Sequence, residues 1–127
     1  MTYYIAKTVS GNFDAVITHV IDALKAEGFG VLTEIDVSAT MKKKLDVDFR
    51  PYRILGACNP KMAFKALNAE DKIGVMLPCN VIVQKTEAGV EVAAVDPVAS
   101  MQAVKNEALA DIAGPVKDAL TRVIESL

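Results

Sequence analysis

Two short segments repeat one arrangement of reactive groups: "GACNP" (56 to 60) and "LPCNV" (77 to 81) each hold a cysteine followed directly by an asparagine. Cys58 and Cys79 are the only cysteines of the chain. A thiol acts as nucleophile, reductant or soft ligand, and an adjoining amide can donate or accept a hydrogen bond. Asn59-Pro60 is a helix-start signal, with asparagine as N-cap and proline at the first helical position. Cys58 is therefore expected beside the positive end of a helix, where a thiolate or a bound anion is favoured. Cys79 belongs to a strand interrupted by Pro78, and a proline there marks an edge or an irregularity that can turn side chains toward a site.

The plain alternative is that both cysteines are small core hydrophobes, since free cysteine is among the most buried residue types. Asn59 as a cap would spend its side-chain oxygen on the helix. Asp96-Pro97 repeats the cap-then-proline pattern, so Asp96 either starts the last helical region or adds a carboxylate to the site, capping being the favoured role. His19 is the single histidine and lies on the polar flank of its helix, which leaves a Cys-His pair without a partner. No CxxC and one histidine give no ligand set for tetrahedral zinc. The methionines at 41, 62, 76 and 101 are too dispersed to suggest a cofactor box. Tyr3, Tyr4 and Tyr52 read as strand packing residues. The residues name no cofactor.

The elements that must position these groups follow from periodicity. "TYYIAKTV" (2 to 9) is a strand, and Phe13, Val16, Ile17, Val20, Ile21 and Leu24 recur at helical spacing until Gly28 stops the helix. "FGVLTEIDV" (29 to 37) alternates as a half-buried strand, with Val31, Thr33, Ile35 and Val37 on one side. A short surface helix is expected over 38 to 49, a strand over 52 to 59 and a short helix over 60 to 71. Strands over 72 to 85 and 89 to 97 are joined by a glycine-containing link of hairpin length. The apolar spacing over 98 to 126 predicts a long helix, kinked or divided at Gly114-Pro115. The chain thus reads as one domain, 1 to 127, of the α+β class: a mostly antiparallel sheet of about five strands with two long helices on one face.

Composition bounds the function classes. A chain of 127 residues can bury a core without disulfides. Fourteen Lys and Arg against sixteen Asp and Glu, with a 6% aromatic share, argue against nucleic-acid binding. The most apolar run, 73 to 83, is far shorter than the roughly 20 residues a membrane span needs, and the N-terminus lacks a signal-peptide pattern, so the cytoplasm is the expected compartment. The 52% hydrophobic content is high for a small soluble domain and predicts homo-oligomerisation.

"YRILGACNPKMAFKAL", "IGVMLPCNVIV" and "VAAVDP", together with the early "GNFDAVITHVIDALKAEGFGVLTEID", resemble the family catalogued as domain of unknown function 302. The family pattern falls on Gly56, Cys58, Asn59, Pro60, Leu77, Pro78, Cys79, Asn80, Asp96 and Pro97. The resemblance implies a fold akin to the TATA-binding-protein-like class, a curved antiparallel sheet with helices on one side, and carries over no activity.

Three functions remain as expectations. The first is a small-ligand or anion site formed by Cys58, Asn59, Cys79, Asn80 and Asp96. The second is thiol redox chemistry, with Cys58 as nucleophile and Cys79 as resolving thiol. The third is a structural homo-oligomerisation domain.

Overall fold

The computed structural model describes residues 2 to 127. Five strands, β1 (Tyr4–Val9), β2 (Gly30–Asp36), β3 (Tyr52–Cys58), β4 (Cys79–Thr86) and β5 (Gly89–Val95), form one sheet in the order β1-β5-β4-β3-β2. Every neighbouring pair is antiparallel. The helices α1 (Phe13–Ala26), α2 (Val37–Leu45), α3 (Pro60–Ala69), α4 (Pro97–Ser100) and α5 (Glu107–Glu125) complete the α+β architecture.

The core lies on one face of the sheet. Val16, Val20 and Leu24 of α1 and Val116, Leu120 and Val123 of α5 pack against Leu55, Ala57, Val81, Val83, Val92 and Ala94. Asn12 starts α1 by accepting from the Ala15 amide at 3.1 Å. Gly28, at φ +87°, ends it: its amide donates to Lys25, and that of Phe29 to Leu24, the paired bonds of a Schellman stop. Phe29 then packs into the same cluster as Leu24.

Three sequence expectations change. Residues 72 to 78 are not strand: Asp71–Met76 form a 3₁₀ turn, and β4 begins only at Cys79. Ile73 anchors that turn in a second apolar cluster with Ala66 and Leu109, which a strand could not reach. The C-terminal region divides at 101 to 106, between α4 and α5, and not at Gly114-Pro115. Asn106 fixes the division, because its Oδ1 caps the Ala108 amide at 3.1 Å while its Nδ2 donates to the Ala69 carbonyl at 2.8 Å. Helix α5 runs through Pro115. Pro115 and Asp111 are both exposed, so the carbonyl that loses its amide partner is open to water.

The third change is a register shift in β2 between Val31 and Thr33. Val31 pairs with Ala57 on the core side, whereas Thr33 and Ile35 pair with Gly56 and Ile54 on the other. One extra residue, Leu32, therefore splits the face that simple alternation would share. Helix α2 is the expected surface helix, with no buried residue, and its cap is Asp36, whose Oδ1 accepts from Ala39 at 3.0 Å.

Candidate functional site

Strand β3 ends at Cys58, and the next residue turns the chain into α3. Asn59 is the N-cap, its Oδ1 accepting from the Met62 amide at 3.4 Å, with Pro60 at the first helical position. Cys79 opens β4 directly opposite Ala57, so the two cysteines stand at the same end of adjacent strands. Cys58, Asn59 and Cys79 line one cavity of about 310 Å³. Met62, Ala63 and Ala66 of α3 form one wall, and Ile112, Ala113 and Val116 of α5 another. The alanines are the reason for the space: small side chains at the approach of α3 to α5 leave a gap that leucines would fill.

The lining is apolar apart from Asn59 and the two thiols. Burial pushes the Cys79 thiol up to about 11, and the neighbouring Cys58 adds to the shift. At neutral pH Cys79 is a protonated, weakly polar wall group. In the ladder Cys79 shares its face with Val81 and Val83, while Cys58 belongs to the alternate set with Gly56 and Ile54.

Asn80 and Asp96 are not brought into this cavity. Asn80 pairs with Gly56 on the face of the sheet away from the helices, in a separate concavity of about 460 Å³ with Tyr4, Tyr52, Ile82, Gln84 and Glu91. Asp96 is buried and caps α4, accepting from Val98 at 3.0 Å and Ala99 at 3.3 Å, and it pairs with Lys117 Nζ at 3.0 Å. Burial alone would raise its pKa, but the Lys117 and backbone hydrogen bonds outweigh it and hold the carboxyl below the ordinary aspartate range. Only its neighbour Pro97 reaches the cavity wall. His19 is exposed on α1. Among the described residues no three His, Cys, Asp or Glu side chains converge as a metal site, and no helix is long and apolar enough to cross a membrane.

The α5 wall of the cavity was not visible as a site in the sequence, where Ile112 and Val116 read only as core periodicity. The second concavity had a signal: Tyr52 and Ile54, Asn80 and Ile82, and Ala93 and Val95 are strand positions on the side away from the helices, yet most of them are apolar.

The profile of the family described as "Domain of unknown function DUF302" matches residues 5–127. A crystal structure of an uncharacterized conserved protein DUF302 from Bacillus stearothermophilus is similar to this chain at a TM-score of 0.91 and 28% identity, covering 98% of each chain. No curated protein matches.

Proposed function

The chain belongs to the DUF302 family, and with no activity to inherit from that membership, we propose from its cavity that it binds a small, mainly apolar molecule between the Cys58–Asn59 turn, Cys79 and helices α3 and α5. The observation that carries this reading is a cavity of about 310 Å³ whose wall is apolar except at one end, where Asn59 and the thiols lie. Ligand sites have this form: volumes from about 300 Å³, apolar walls and a few polar groups that fix orientation. The ligand would bury its hydrocarbon portion against Met62, Ile112 and Val116 and turn a hydrogen-bonding end toward Asn59.

A free inorganic anion fits less well. In the first turn of α3 Pro60 has no amide hydrogen, and the Met62 and Ala63 amides already donate to Asn59. The Lys61 amide is left to offer, and one amide is a weak cradle for a phosphate. Thiol redox chemistry draws less support too, because a Cys79 thiol held near 11 is a poor resolving nucleophile at neutral pH.

The test uses the fluorescent probe 1-anilinonaphthalene-8-sulfonate. Its emission should rise with the wild type, and Ala63→Phe, which fills the cavity from α3, should remove most of that rise while leaving the circular dichroism unchanged. A folded Ala63→Phe protein with wild-type probe binding would end the proposal.

A further inference from the structure

The face of the sheet turned away from α1 and α5 carries a row of apolar side chains across all five strands. The register places Ile35 beside Ile54, Ile54 beside Ile82, Ile82 beside Ala93, and Ala93 beside Ala6. Neither α1 nor α5 lies over it, since their buried residues pack against the opposite side. Ile35 is 48% exposed and Tyr4, at the flank, 45%, with Ile54 and Ile82 half-buried and Ala93 buried at the floor of the row. A continuous apolar band of this kind marks an interaction surface rather than scattered surface hydrophobics.

We propose that this face is the interface of a two-fold homodimer. Charge selects a protein surface over nucleic acid: the outward set contains no lysine, and Arg50 is balanced by Glu91 through Gln84. Arg50 Nε donates to Gln84 Oε1 at 2.8 Å, and Gln84 Nε2 donates to Glu91 Oε1 at 2.8 Å. Arg50 also stacks on Phe49, 4.4 Å from the ring centroid. These polar groups already satisfy one another, which lowers the cost of covering them.

Shape selects a second copy of this chain. The row is bulky at one end, with Ile35, Ile54 and Ile82, and small at the other, with Ala93 and Ala6. A two-fold axis running along the strands in the interface reverses the row in the partner. The isoleucine end of each protomer then meets the alanine end of the other, and one surface supplies both knobs and holes, as an isologous contact requires. Area is of the order a dimer needs. Strands about 4.8 Å apart with about 3.3 Å per residue give this face a plan area of roughly 500 Å², which side-chain relief and the flanking Tyr3, Tyr4 and Phe49 extend toward the ~800 Å² per partner of a stable complex. None of Ile35, Ile54, Ile82, Ala93 and Ala6 lines the cavity at Cys58 and Cys79, so the interface does not depend on that cavity being occupied.

Sedimentation equilibrium of the full chain tests the assignment. The wild type should be dimeric at micromolar concentration, and Ile82→Asp, in the middle of the row, should be a folded monomer. Ala6→Arg, on an edge strand at the small end, guards against failure of the first variant to fold and should weaken association by about tenfold or more. A monomeric wild type overturns the proposal. So does a dimer that persists unweakened in whichever of the two variants is folded.

Discussion

Pro78 packs its ring over Gly56: a Cβ placed on Gly56 would come within 2.9 Å of Pro78 Cγ and would collide with Thr33 Oγ1 as well. The glycine is thus required by a close approach from a neighbouring strand and not by its own backbone angles. Its absence of a side chain lets the segment before β4 settle onto β3 and brings Cys79 opposite Ala57, beside Cys58.

Gly56→Ala is therefore expected to destabilise the protein by about 1–3 kcal/mol, the usual cost of overpacking. Thr33 can rotate away, but the proline ring is fixed to the backbone. Adding Thr33→Ala should accordingly restore only part of the loss. Urea unfolding reads both values, and a Gly56→Ala protein as stable as the wild type would show that the strand ends separate without cost.

Asn59 has two groups with separable work. Its Oδ1 caps α3, at 3.4 Å from the Met62 amide, so Asn59→Ala should lose stability toward the lower end of the 0.5–2 kcal/mol typical of caps, about 0.5–1 kcal/mol. Asn59→Asp should keep the cap and the melting temperature, while its negative charge in the cavity wall weakens binding of the anionic naphthalenesulfonate probe. Equal destabilisation by the two substitutions would remove the capping account.

The parts of this fold that were legible in the sequence are those decided within a few residues. Asn59-Pro60 starts α3 and Gly28 stops α1 because the cap and the left-handed stop are local bonds. The pairing of β4 with β5 follows from a short link. What the chain concealed was decided at a distance. Ile73 reads as strand by its neighbours but is drawn into a turn by Ala66 and Leu109. The helical spacing from Met101 onward hid a break that Asn106 imposes through its bond to Ala69. The same applies to the candidate site. Cys58, Asn59 and Cys79 converge because β3 and β4 are neighbours, whereas Asn80, one residue beyond Cys79, faces the other way through the two-residue period of a strand. The dipeptide repeat therefore puts only one of its two asparagines in the cavity wall, and the capping role favoured for Asp96 accounts for its bonds to Val98 and Ala99.

Cys79 supplies the pH-dependent prediction. Burial raises its thiol from 9.0 to about 11, with Cys58 adding to the effect. A raised folded-state pKa means that the stability contributed by the protonated thiol is fully present below pH 9.0 and is lost as the pH rises toward about 11. Urea unfolding across that alkaline window should show the wild type losing stability relative to Cys79→Ala, which has no thiol to ionise. Alkylation of Cys79 should follow its ionisation, because the thiolate is the attacking species. Iodoacetamide at neutral pH should leave Cys79 of the folded protein unmodified until the pH is raised or the chain unfolds. Peptide mapping by mass spectrometry distinguishes the two sites. Rapid alkylation of Cys79 in the folded protein at neutral pH would mean that its thiol is not held protonated by its surroundings.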